Sequence, residues 1–172
     1  KALLQEKADR RNLNTPPSFL TSQADQQHNI SEHEWKLSLQ RLGKIHCSPR
    51  ARWQMIQTFL RTLWTPLKFY YQTKDHENGT CPGCADHWPC NTAHLLYECT
   101  GLASNVWNFI HSILMDATGR NEKFTKFQVL YLHRVQSLTE VTMIVVGNRA
   151  IMRMVSKVAP PIHPKVAMAC LK

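Results

Sequence analysis

The residues able to do chemistry crowd into 81–99, Cys-Pro-Gly-Cys-Ala-Asp-His-Trp-Pro-Cys-Asn-Thr-Ala-His-Leu-Leu-Tyr-Glu-Cys. Cys81, Cys84, His94 and Cys99 have the types and spacing of a closed structural zinc site, C-x2-C-x9-H-x4-C. Two residues between the first cysteines let one tight turn aim both sulfurs at one ion, and the later His and Cys complete a tetrahedron. His87 and Cys90 lie inside the same loop and compete for ligand positions. Three thiolates and a neutral imidazole around Zn2+ carry about −1 and leave no open position, so the ion is expected to staple rather than to activate a water. Two-metal chemistry needs clustered carboxylates, and the 12 acidic residues are scattered singly. No catalytic constellation is expected, and the chain reads as non-enzymatic.

The ligands must be positioned by short elements. A helix capped by Thr92 would carry His94, but Cys99 comes five residues later, roughly 140° around an α-helical axis. Both cannot point the same way from one regular helix. Gly101 implies that the helix stops around Glu98 and the chain turns to bring Cys99 back to the ion.

Around this loop the sequence predicts helices. Residues 1–12 form one with a thin apolar face, and the breaker-rich run from Asn14 to Asn29 is a linker. Ser31 and Glu34 make a capping box, Ile30 staples against Trp35, and Trp35, Leu39 and Leu42 face a core until Gly43 ends the helix. A second helix follows Ser48-Pro49, with Trp53, Ile56, Leu60 and Leu63 inward. Thr65-Pro66 breaks it or starts a third. After Gly101, the stripe Leu102, Val106, Phe109, Ile110, Ile113 and Leu114, flanked by Trp107, predicts an amphipathic helix closed by Gly119. Residues 122–134 predict another, with Phe124, Phe127, Leu130 and Tyr131 inward. Ser137 and Glu140 cap the last helix, which Pro160 and Pro161 stop; its β-branched stretch 141–146 allows a short strand as the alternative. The fold class is all-α, a helical bundle with a central zinc-stapled loop. It divides into an N-terminal helix and linker (1–29), a zinc-binding module (30–119), a C-terminal helical pair (120–159) and a tail (160–172).

The 172 residues suffice for a core without disulfides. A net charge of +9 favours an anionic partner, first of all nucleic acid. The candidate contacts are Arg50, Arg52, Arg61, Lys68 and Lys74, which neutralise phosphates, and Trp88, which stacks on unpaired bases; Tyr70 and Tyr71 are interleaved among them. Trp35 and Trp53 are assigned to the core. No apolar stretch is long enough to span a bilayer, so no membrane partner is expected. The sequence opens on Lys1 rather than Met and reads as a segment of something longer, and its metal-spaced cysteines without a secretory leader point to a reducing intracellular compartment, nucleus or cytoplasm.

Taken in order, Trp35, the basic stretch Arg50 to Arg61, Thr65-Pro66, Cys81 and Cys84, Thr92 with His94, Cys99 and Trp107 form a sequence of landmarks. It resembles the C-terminal zinc-binding region of the reverse transcriptase polyprotein of LINE-type non-LTR retrotransposons. The likeness covers Ile30 to Leu114 and extends over 120–160 only by helical character. The step Thr92-Ala93-His94 is one residue tighter than the Thr-x-x-His of that pattern. The resemblance implies a non-catalytic module that holds RNA or target DNA while a neighbouring polymerase extends a primer at a nick. The competing expectation is a zinc-stabilised scaffold that docks on the polymerase or another protein without touching nucleic acid.

Overall fold

A computed structural model describes residues 30–74, 79–84, 90–119 and 121–158. The expected helix and linker of 1–29, the tail of 160–172, and the candidates His87 and Trp88 lie outside the described residues. Secondary structure among the described residues is helical, with no strand, which fits the all-α class. The chain divides into two compact units, one built on 30–63 and 122–146 and the other on 64–121 and 147–158.

In the first unit, α1 (Glu32–Lys44) starts at a capping box: the Ser31 hydroxyl accepts from the Glu34 N–H at 3.2 Å, and the Glu34 carboxylate accepts from the Ser31 N–H at 3.1 Å. Ile30 and Trp35, flanking the cap as a hydrophobic staple requires, are both fully buried. Gly43 does not end this helix; it stays within it, and the chain turns extended at Ile45, whose burial fixes the exit. The second helix, α2 (Pro49–Phe59), is capped by Ser48, which accepts from the Ala51 N–H at 3.2 Å. Its buried residues are Ala51, Gln54, Met55, Thr58 and Phe59, not the Trp53, Ile56 and Leu60 stripe, and Trp53 is 47% exposed. The helix carries two apolar lines, and packing chose the one that brings the Phe59 ring to 5.4 Å from that of Trp35.

The same unit contains α5 (Lys126–Tyr131), which packs against α2. It is shorter than the expected 122–134 because Thr125 and Gln128 form a further capping box, which fixes the start, and Leu132 at φ 55 ends it. Phe124 is buried ahead of the helix, whereas Phe127 is only half-buried. The Ser38 hydroxyl reaches the Leu132 carbonyl at 3.4 Å, and Glu34 lies 3.4 Å from Arg134 Nε and 3.8 Å from His133 Nδ1. Stretch 141–146 is helical, inside α6 (Leu138–Val158), whose Glu140 N–H donates to the Ser137 hydroxyl at 3.2 Å.

The second unit contains α3 (Pro66–Thr73), the cysteine loop, a π-turn (His94–Glu98), α4 (Leu102–Thr118) and the last part of α6. Thr65 caps α3 with Pro66 in its first turn, and the otherwise orphaned Leu67 N–H donates to the Cys90 carbonyl at 3.2 Å. Gly119, at φ 69, closes α4 as expected. The buried residues of α4 are Ala103, Ile110 and Leu114, with Trp107 half-buried on the same line. The expected stripe holds at Ile110 and Leu114 but not at Phe109, which is 67% exposed. The partner of this line is α6 at Gly147, where an added Cβ would lie 2.6 Å from the Trp107 ring and 2.7 Å from Ile110 Cδ1. No helix among the described residues is long and apolar enough to cross a membrane.

Candidate metal centre

Four side chains of the second unit converge. The ligand atoms of Cys81, Cys84, His94 and Cys99 all lie within 4.8 Å of one another. Two edges of the group are 3.5 Å, Cys81 Sγ to Cys99 Sγ, and 3.4 Å, Cys84 Sγ to His94 Nε2. A tetrahedron with ordinary zinc–sulfur and zinc–nitrogen bonds has edges of roughly 3.6–3.8 Å, close to these two, and the cluster could hold a metal ion. Cys81, His94 and Cys99 are buried and Cys84 is half-buried.

Local backbone geometry explains the convergence. Cys81 and Cys84 sit on one tight turn, in which the Gly83 N–H donates to Cys81 Sγ at 3.4 Å. The five-residue interval between His94 and Cys99 is met by a π-turn: the Cys99 N–H donates to the His94 carbonyl at 2.8 Å. In an α-helix residue 98 would occupy that place; widening the turn by one residue sets Cys99 over His94. Helical structure does end at Glu98, with Cys99 extended beyond it, but the means is the wide turn rather than a reversal at Gly101. The cap is Asn91 rather than Thr92, its side-chain oxygen accepting from the His94 N–H at 2.9 Å.

Cys99 also stands at the start of α4, which has no side-chain cap of the usual kind; the Leu102 N–H donates to Cys99 Sγ at 3.3 Å. A sulfur bound to metal there would accept from that N–H and face the positive end of the helix. From the next turns of α4, Trp107 Nε1 donates to the Leu96 carbonyl at 2.7 Å, fastening the π-turn from behind.

The glycines on either side of the centre carry a role beyond punctuation. A Cβ on Gly101 would strike the Gly83 carbonyl, and one on Gly83 would lie 2.9 Å from Cys99 Sγ and 2.5 Å from Leu102 Cγ. The turn bearing Cys81 and Cys84 therefore lies backbone to backbone on the segment that follows Cys99. Reading Gly101 as a helix stop misses this, because close approach leaves no local signature.

The thiols divide the charge unequally. Cys81 is held down to about 4, chiefly by a hydrogen bond from the Cys90 thiol, against its burial and with help from the Gly83 and Cys84 backbone and from Cys99. Burial, reinforced by the neighbouring Cys81 and Cys99, pushes Cys84 up to about 12. Cys90 is also raised, by the hydrogen bond to Cys81 and by burial. A divalent cation among these sulfurs would favour their anionic form. Cys90 is a fully buried fourth sulfur beside Cys81, outside the four-atom group; its backbone N–H donates to the Gly79 carbonyl at 3.1 Å.

The candidate nucleic-acid contacts fall in both units. In the first, Arg50 is exposed, Arg52 donates to the Ile45 carbonyl at 3.0 Å, and Arg61 donates through Nε to the Tyr131 hydroxyl at 3.2 Å. In the second, Lys68 is half-buried on α3, while exposed Lys74, left-handed at φ 61, caps that helix with its ammonium 5.6 Å from the centre of the Tyr71 ring. Tyr71 is exposed and Tyr70 half-buried. No family model, curated protein or solved structure matches the chain.

Proposed function

We propose that the chain is a non-catalytic zinc-binding module that holds RNA or target DNA beside a reverse transcriptase of the LINE-type non-LTR retrotransposon kind, during reverse transcription primed from the target. The observation that carries the reading is the closed set of Cys81, Cys84, His94 and Cys99, on a chain of net charge +9. Three sulfurs and one imidazole suit Zn2+ and leave it no position for water, so the ion's work is structural. Arg50, Arg52, Arg61, Lys68, Lys74 and Trp88 supply the phosphate and base contacts. The polymerase portion of the parent polyprotein supplies the chemistry.

Native mass spectrometry of the reduced, freshly purified protein tests the first half; one zinc is expected, and none removes the reading. Titration of RNA through a salt series tests the second. Binding through Z phosphates gives log affinity a slope against log salt of about −0.7Z for single strands. A flat response favours the second reading, a zinc-stabilised scaffold that docks on the polymerase or another protein without nucleic-acid contact.

A further inference from the structure

Three features of the first unit meet on α2. Trp53 leaves its indole 47% exposed in the middle of α2, although the helix has a well-filled core face on the other side. Isolated apolar exposure is ordinary, but Ile56 and Leu60, on the same stripe as Trp53, are only half-buried, so the exposed indole heads a partly open apolar line. One turn before Trp53 lies Arg50, exposed in the first turn of α2, where no acidic residue is present. A cation at a helix N-terminus opposes the macrodipole, so its placement answers to something other than the stability of the helix. Finally, α2 contains no Asp or Glu, and its charged residues are Arg50 and Arg52. An apolar contact for another protein would normally be rimmed by both signs of charge; on α2 itself the only charges are cations.

We propose that this face of α2 is a stacking subsite for single-stranded RNA, with an unpaired base lying on the Trp53 indole and the adjoining phosphate on Arg50. Residues three apart on a helix share a face, with Cβ atoms about 5–6 Å apart, which lets one nucleotide engage both. The flat ring accepts any base, so the subsite adds affinity without sequence preference. The proposal deepens the nucleic-acid reading above and rests on it, but it moves a base contact to a residue that helical periodicity alone assigns to the core.

The test is fluorescence anisotropy of a labelled oligouridylate, and of a duplex RNA of equal length, against the full chain and three variants. Trp53→Leu keeps apolar volume but removes the flat face, and should weaken oligouridylate binding by roughly ten-fold or more without changing the salt slope. Trp53→Phe should recover most of that loss. Arg50→Ala should weaken binding and flatten the slope by about 0.7, one phosphate contact. Because both side chains are exposed, metal content and circular dichroism should match the parent protein. Unchanged binding by Trp53→Leu, with the parent still binding, overturns the stacking subsite and leaves the nucleic-acid reading intact. Equal losses on single strand and duplex also overturn it. A parent protein that binds neither RNA overturns both.

Discussion

The two compact units close their interiors with different materials. The first buries large apolar side chains, among them Trp35, Phe59, Met55, Leu42, Leu132 and Ile144, and two of its helices, α1 and α5, begin at capping boxes. The second buries three cysteines, a histidine and Gly147 alongside Leu95, Leu96 and Ile151, and brings the backbones of Gly83 and Gly101 together. Apolar burial stabilises in proportion to area, so a region rich in Trp, Phe and Leu can hold itself. A region that has given much of its interior to sulfur and glycine gains from a cross-link, and an ion held by the four side chains would supply one.

That contrast breaks first if the metal is not what holds the second unit. Structural zinc contributes on the order of 10–16 kcal/mol in small peptides, so chelation, or Cys84→Ser, should erase amide protection across 90–119. Hydrogen exchange reads this directly, and simultaneous loss of protection in 32–44 would show that the units are not distinct in stability. The converse experiment is Phe59→Ala, which removes the ring packed on Trp35 and should cost about 3–5 kcal/mol in the first unit while leaving metal stoichiometry at its original value. Gly101→Ala sharpens the picture on the other side. Its methyl group would collide with the Gly83 carbonyl, so a loss of about 1–3 kcal/mol accompanied by weaker metal retention against a chelator is expected. Unaltered metal affinity in the Gly101→Ala protein would mean that the cysteine turn and α4 are not held together through the centre.

The smallest effect belongs to Glu34. Burial raises its pKa, but the Ser31 backbone and hydroxyl, His133 and Arg134 outweigh burial and leave it below the usual carboxylate value. A depressed folded-state pKa contributes stability that is complete above the unfolded value and is lost as pH falls through the folded one. Glu34→Gln should therefore cost about 1 kcal/mol near neutrality, and the gap should close below the ordinary carboxylate range. Denaturant melts at two pH values check it; a gap that widens in acid has the wrong sign for this account.

Local features were legible from residue types alone. Ser31 with Glu34, Ser48 before Pro49, Thr65 before Pro66 and Gly119 after α4 mark helix ends because their bonds or dihedrals are made within four residues. Cys81, Cys84, His94 and Cys99 belong to the same class, since two short spacings suffice to suggest one ion. Helix faces were not legible in this way. Along α2 and α4, apolar residues recur on two adjacent lines, and the lines through Phe59 and Ile110 were buried while Trp53 and Phe109 were left outside. The choice follows from what lies opposite, the Trp35 ring in one case and Gly147 in the other.

By itself, then, the sequence determined the all-α class, most helix starts and the four metal-seeking side chains, because each rests on chemistry between near neighbours. Only the tertiary structure decided the π-turn that sets Cys99 over His94, the contact of Gly83 with Gly101, and the exposure of Trp53. Those outcomes depend on atoms distant in the chain competing for the same space, a contest that spacing along one segment does not encode.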